Sequence, residues 1–173
     1  MDTAFQRRWQ MEHIPNKFDF KTAHVNKHLP NSKISWGAFA QIVNKKMHTV
    51  NSGFGSTDDK SLGVYFATDN DLDNAKRFAE KVLKYLWDDA FKLGRQALFS
   101  NCSEGLSSVI EAYEEAKGDP LEAVLLQEIY KEMQDEMAKA ERKAAEEAQN
   151  EQSGEEPADD ADNEPAETPA DEE

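Results

Sequence analysis

The chain has 173 residues, enough for one ordinary domain or one small domain with extensions, and a formal net charge of −15 from 20 basic and 35 acidic side chains. Residues 151–173 hold eleven of the carboxylates and no Lys or Arg, which leaves only −4 on the first 150 residues. That balance repels nucleic-acid phosphate and anionic membranes; no apolar run approaches the ~18 residues a membrane span needs, the N-terminus lacks a signal peptide's apolar core, and the single cysteine, Cys102, rules out an intrachain disulfide, so the expectation is a cytoplasmic protein with no direct contact to nucleic acid or membrane.

In chain order, residues 2–9 read as a short helix with Asp2 as N-cap. Residues 10–14 alternate polar and apolar and stop at Pro15, the pattern of a short strand. A lone strand cannot satisfy its own ladder hydrogen bonds, so it needs a sheet that the rest of the sequence does not offer. Residues 15–34 read as loop. Ser35 then caps a helix whose apolar face is Trp36, Phe39, Ala40, Val43 and Met47. Residues 48–61, with Gly53, Gly55 and several small polar residues, read as an exposed loop, and Leu62 to Phe66 as a brief strand or extended segment. The strongest amphipathic signal follows. Ala75, Phe78, Ala79, Val82, Leu86, Ala90 and Leu93 recur at three- and four-residue intervals, Leu83, Tyr85, Trp87 and Phe91 widen the face, and Gly94 stands as the stop.

A shorter helix after Ser103 places Leu106, Val109, Ile110 and Tyr113 on one side, and Gly118-Asp119-Pro120 breaks it. The last helix starts near Leu121 and carries Val124, Leu125, Ile129, Met133 and Met137. Beyond Met137 its only apolar residues are alanines among charges, which predicts a helix projecting into solvent and fraying near Asn150. Residues 151–173 contain no large apolar side chain and cannot offset their own ordering entropy, so a disordered acidic tail is expected.

Several of these segments, in this order, resemble the C-terminal part of AAA+ nucleotide hydrolases of the McrB-like and MoxR group. Asp2-x-Ala4-Phe5-x-Arg7-Arg8-Trp9 followed by Ile14-Pro15 resembles the helix that ends in an arginine finger and the last strand of the core sheet. Trp36-x-x-Phe39-x-x-Ile42-Val43-Asn44 resembles the opening helix of the lid. Asp59-Lys60-Ser61-Leu62-Gly63-x-Tyr65-Phe66 is similar to a lid motif, and the run from Phe78 to Asp89 to the lid helix after it. The resemblance spans roughly residues 1–115. It implies a mainly α fold: a helical AAA+ lid-like bundle over residues 16–117, a helix–strand remnant of the AAA+ core over 1–15, a charged extension helix over 118–150 and the acidic tail over 151–173. The phosphate-cradling G-x-x-x-x-G-K-[ST] loop, a Walker B acidic pair and the sensor 1 strand are all missing from the sequence. The chain therefore reads as a truncated gene product, a separated gene half or an excised piece, inactive as an enzyme by itself.

What the resemblance implies for sites follows from that frame. Arg7 or Arg8 would be the finger, a rigid guanidinium reaching a neighbouring subunit's transferring phosphoryl group; the bland alternative is a surface pair flanking Trp9. Lys60 and Arg95 would be lid contacts to nucleotide, and otherwise are solvated surface charges. Residue chemistry adds no further site. His24 and His28 are four apart without an acidic or cysteine partner at ligand spacing, so no metal is expected. Cys102 has no catalytic signature around it. The aromatic residues Trp36, Phe39, Phe78, Tyr85, Trp87 and Phe91 read as core.

Three classes of function are consistent with this. The first is a fragment or split half of a McrB-like AAA+ hydrolase of restriction or remodelling type. It would act in trans with a Walker-motif-bearing subunit or a homologous chain, together with a nuclease partner. ATP or GTP with Mg would be used only in the assembled complex, and the isolated chain would hold no cofactor. The second is a non-enzymatic helical interaction module whose acidic tail binds a basic partner protein. The third, a small independent enzyme, ranks last, because no nucleophile–base pair or carboxylate pair stands out.

Overall fold

The computed structural model describes residues 15–51 and 58–153, and every extended element it defines there is helical. Pairing of extended backbone is confined, among the described residues, to two isolated antiparallel bridges, His28 with Ser35 and Phe99 with Leu125. The mainly α expectation therefore holds. The finger helix and core strand expected before Pro15, the middle of the loop at 52–57 and residues 154–173 lie outside the described residues.

The segment before the first long helix is more ordered than its polar composition suggests. A single turn, α1 (Ala23–Asn26), is followed by a tight reversal in which Ser32 N–H donates to Leu29 C=O at 3.0 Å and Leu29 N–H to Ile34 C=O at 2.9 Å. Pro30 and Asn31 occupy the corner, and Asn31 has φ 57°, so proline followed by a left-handed asparagine gives the arrangement of a type II turn. Ser35 then caps α2 (Trp36–Asn51), its hydroxyl oxygen accepting from Ala38 N–H at 3.4 Å. The expected face of α2 is buried throughout: Trp36, Phe39, Ala40, Val43 and Met47 are all fully enclosed. Gly37 lies where α1 crosses α2, and a Cβ there would sit 2.4 Å from Val25 Cγ1, so the crossing needs glycine.

Leu62 to Phe66 is a turn rather than a strand, with Phe66 N–H donating to Gly63 C=O at 3.1 Å. Its apolar residues mimic a strand, but its backbone groups are taken by side chains, and among the described residues no neighbouring strand is present to pair with. After α3 (Asp69–Leu72), Asn74 caps α4 (Ala75–Phe78), accepting from Arg77 N–H. The axis of α4 continues through two π-helical segments, Ala79–Leu83 and Leu86–Ala90. Their wider turns show in the hydrogen bonds: Lys84 N–H reaches Ala79 C=O and Phe91 N–H reaches Leu86 C=O, each five residues back. The helix ends at Ala90, four residues before Gly94, so Leu93 falls in the following turn and is 72% exposed instead of joining the apolar face.

Beyond a short 3₁₀ turn (Arg95–Ala97) come α5 (Leu106–Glu114), entered through Gly105 at φ 90°, and α6 (Pro120–Val124), whose N-cap Asp119 accepts from Leu121 N–H. The single helix expected from Leu121 onward is broken at Leu125. There Leu126 N–H donates to Leu98 C=O at 2.9 Å and Ser100 N–H to Val124 C=O at 3.0 Å, which holds Leu125 extended before α7 (Gln127–Ser153) begins. α2 packs against α7, and α5 against α6 and the first π segment.

One continuous core runs from Leu29 to Met133 and takes in Leu121, Val124, Leu125 and Ile129. Past Met137, α7 is not bare. Lys21 pairs with Glu147 at 2.8 Å, and Phe20 lines a cavity of about 270 Å³ together with Met137, Ala140 and Ala144. No helix among the described residues is long and apolar enough to cross a membrane.

Candidate functional site

The residues singled out by the sequence are distributed unevenly. Arg7 and Arg8 lie outside the described residues. Lys60 and Arg95 both attach to the end of the long helix formed by α4 and its two π segments (Ala75 to Ala90), which explains why cations settle there: a helix C-terminus carries partial negative charge on its last carbonyls. Lys60 Nζ lies 3.2 Å from Asp89 Oδ1 and donates to Asp89 C=O at 3.4 Å, while Tyr85 Oη–H donates to Lys60 C=O at 2.8 Å. Burial pushes the Tyr85 phenol up, and the Asp89 and Asp59 carboxylates push it the same way. Arg95 donates from Nε to Trp87 C=O at 2.9 Å, and its guanidinium carbon sits 4.8 Å above the Trp87 ring.

Trp87 and Asp89 are two positions apart, and residues so spaced do not share a helix face. Lys60 and Arg95 therefore grip the helix end from different flanks and do not converge on one point. They also differ in what they have left to offer. The Lys60 ammonium is already paired with a carboxylate. Arg95 is anchored through Nε and its flat face, so among the described residues its two Nη amines keep no hydrogen-bond partner. Cys102 lies close enough that the Arg95 charge acts on it, yet burial dominates and raises the thiol above its ordinary range, which leaves it a poor nucleophile. No group of three or more side chains able to ligate a metal converges among the described residues.

The densest polar arrangement lies elsewhere, around the turn at 62–66. Asn44 projects from the buried face of α2 and pairs with Leu62 as a neighbouring strand would, donating from Nδ2 to its C=O at 2.9 Å and accepting from its N–H at 2.7 Å. Asn16 Nδ2 donates to the same carbonyl at 2.6 Å. Trp36 Nε1–H donates to Val64 C=O at 2.6 Å, and His24 Nε2 lies 3.1 Å from that oxygen. The other His24 nitrogen, Nδ1, is 2.7 Å from Asp69 Oδ1, and the ring stacks on Tyr65 with centroids 5.2 Å apart. Lys27 Nζ bridges Asp73 at 2.8 Å and Asp69 at 3.7 Å. Asp71 faces the other way: its Oδ2 accepts from Thr68 N–H and Oγ–H and from Lys81 Nζ at 2.6 Å. The Lys81 ammonium first, and the Thr68 amide after it, hold the Asp71 carboxyl down at about 2.

Sequence reasoning matched the motif that contains this turn but missed the clamp around it. Asn44 was the available signal, because an amide beside Ala40 and Val43 on a buried helix face must find a partner. The four-residue spacing of His24 and His28 points only to metal ligation, whereas in the fold His24 joins the Val64 carbonyl to Asp69.

Comparison with known proteins gives one informative match. Over 119 residues the chain is 32% identical to the "Type II restriction enzyme BsuMI component YdiS" of Bacillus subtilis (strain 168). The chain is similar to a restriction-enzyme component. The match covers 66% of this chain and 33% of the Bacillus subtilis protein, so the similarity concerns about a third of that relative's length. No family model and no solved structure matches the chain.

Proposed function

We propose that the chain serves a restriction-type system as the arginine-finger and lid portion of a McrB-like nucleotide-hydrolysing assembly. The observation that carries this reading is the 32% identity to a protein named as a restriction-enzyme component. The order of lid-like motifs around Trp36, Lys60 to Phe66 and Phe78 to Asp89 supports it. In such an assembly a second chain supplies the Walker groups and binds ATP or GTP with Mg, and a nuclease partner uses the resulting motion. This chain contributes groups in trans. Arg7 or Arg8 reaches the transferring phosphoryl oxygens, where charge spreads in the transition state. Of the two lid cations, Arg95 is the better suited to an anion, because Nε and the Trp87 face hold its plane while the Nη pair stays available. Lys60 would first have to leave Asp89.

The test is steady-state hydrolysis by this chain mixed with a Walker-bearing partner, with nucleotide binding measured separately. One of Arg7→Ala and Arg8→Ala is expected to lower the rate about 10³-fold while leaving binding nearly intact, since a finger acts mainly in the transition state. Arg→Lys at that position should fail as well, because an ammonium cannot reproduce the planar fork. Arg95→Ala should instead weaken nucleotide binding. Wild-type hydrolysis by both finger variants would remove the finger assignment.

A further inference from the structure

Tyr65 is the most exposed large apolar side chain among the described residues, at 75%, yet it stands on the most heavily tied turn of the fold. Two carbonyls of that turn, Leu62 and Val64, each receive two side-chain partners, from Asn44 and Asn16 and from Trp36 and His24. Trp36 and Asn44 are themselves buried, so these bonds are made where an unmade bond is costly. They fix a turn whose outermost product is an aromatic ring in water. One face of that ring lies on His24, which is held at both nitrogens, so its rotation is restricted on that side. An aromatic immobilised before any partner arrives loses little entropy on binding, the property that makes tyrosine an interface anchor.

We infer that Tyr65, stacked on His24 beside Asp69 and Asp73, anchors a docking surface for a protein partner that presents arginine from a basic segment. Charge complementarity selects this occupant. Asp69 and Asp73 are more than 60% exposed, at 65% and 63%, and share one ammonium, that of Lys27. Asp69 directs Oδ1 to His24 and Lys27, which leaves Oδ2 without a partner among the described residues. A guanidinium can lie flat on the outer face of Tyr65, while a cationic neighbour in the same segment meets the open carboxylate oxygens. A nucleic-acid strand could stack a base on the same ring, but its phosphates would meet Asp69 and Asp73, and the charge disfavours it. This inference does not rest on the nucleotide-dependent reading above, and the groups assigned there to phosphate and nucleotide, Arg7, Arg8, Lys60 and Arg95, take no part in it.

The experiment titrates a six-arginine peptide into the full-length, isotopically labelled chain and follows backbone and aromatic signals by NMR. Shifts at Tyr65, His24, Asp69 and Asp73 are expected, with a six-lysine peptide binding more weakly. Tyr65→Leu should weaken the site at least about fivefold at an unchanged melting temperature, Tyr65→Phe should bind nearly as wild type, and Asp73→Asn should weaken it without touching the ring. The Asp73→Asn result stands even if Tyr65→Leu fails to fold. Wild-type affinity in Tyr65→Leu or Asp73→Asn overturns the inference. Shifts confined to signals outside residues 62–73 overturn it too, as does an oligothymidylate that moves the Tyr65 signals more strongly than the arginine peptide.

Discussion

Single side chains carry unusual weight around the turn at 62–66. Leu62 is fully buried, and Asn44 answers both its N–H and its C=O. Asn44→Ala strands the buried Leu62 amide, which has no other acceptor among the described residues, and is expected to lower unfolding stability by about 2 kcal/mol in urea titrations. Leu62→Ala, by contrast, keeps those bonds and should lose stability through the cavity alone. Asp71 gives a pH-dependent counterpart. Its carboxyl titrates at about 2 in the folded chain against 3.8 ordinarily, so the folded state favours the ionised form. The stabilisation is complete above about 4 and is lost as pH falls toward 2. Lys81 is partly solvated, with 42% of its side chain exposed, so about 1–2 kcal/mol is at stake. Asp71→Asn should flatten the acid limb of a stability profile over that window. None of this was visible from periodicity. The apolar positions of α2 were legible because burial repeats with the helical turn, whereas Asn44, His24 and Asp71 each act through at least one partner 10 to 45 positions away.

At the scale of elements, the sequence carried more than one layer of information. In the long helix, Phe78, Val82, Leu86 and Ala90 and their neighbours Ala79, Leu83, Trp87 and Phe91 are all buried. That is a strict four-residue repeat. An α-helix completes a turn in about 3.6 residues, so such a stripe would wind about 120° around it between Phe78 and Ala90. The two π segments widen the turn and keep the stripe facing the core. The repeat thus recorded the helix type as well as its existence. The break at Leu125 was not legible, because it comes from backbone pairing with residues 98–100, and local propensity there is uniformly helical. The α1–α2 crossing depends on Gly37. Gly37→Ala should destabilise by about 1–3 kcal/mol, since its Cβ meets Val25 Cγ1 at 2.4 Å and Val25 C=O at 3.1 Å. Val25→Ala in the same chain should recover part of that loss, a coupling that a double-mutant cycle measures.

For the molecule as a whole, α6 and α7 are part of what closes the core. Leu121, Val124, Leu125, Ile129 and Met133 are each within 2% of full burial and share one cluster with α2 and the long helix. Each such side chain is worth about 1.5–3 kcal/mol relative to exposure, and five together exceed the stability of many small domains. A chain ending at Lys117 is therefore expected to show no cooperative thermal transition by circular dichroism. A sharp transition in that truncation would mean that residues up to 117 fold by themselves as a lid-like unit and that the following helices are an appendage. Asp119 reinforces the connection. It caps α6 while accepting from Ser32 Oγ–H at 2.7 Å and Lys33 N–H at 2.9 Å, and it helps push the buried Tyr130 phenol up to about 12, burial being the larger cause. The type II turn at Pro30 and Asn31 is thereby tied to the C-terminal helices across more than 80 positions of sequence.

The seat of Arg95 on Trp87 also has an optical consequence. Trp87 is only 6% exposed and is covered by a cation at 4.8 Å, so its fluorescence is expected to respond when the charge on that cover changes. A phosphate taken up by the two Nη amines offsets that charge while the ring stays packed against Phe99. The difference spectrum against Trp87→Phe isolates that signal from Trp36 and Trp9, and Arg95→Ala fixes its uncovered limit. The side chain best placed to meet an anion thus rests on a chromophore that records the anion's arrival, with no label added.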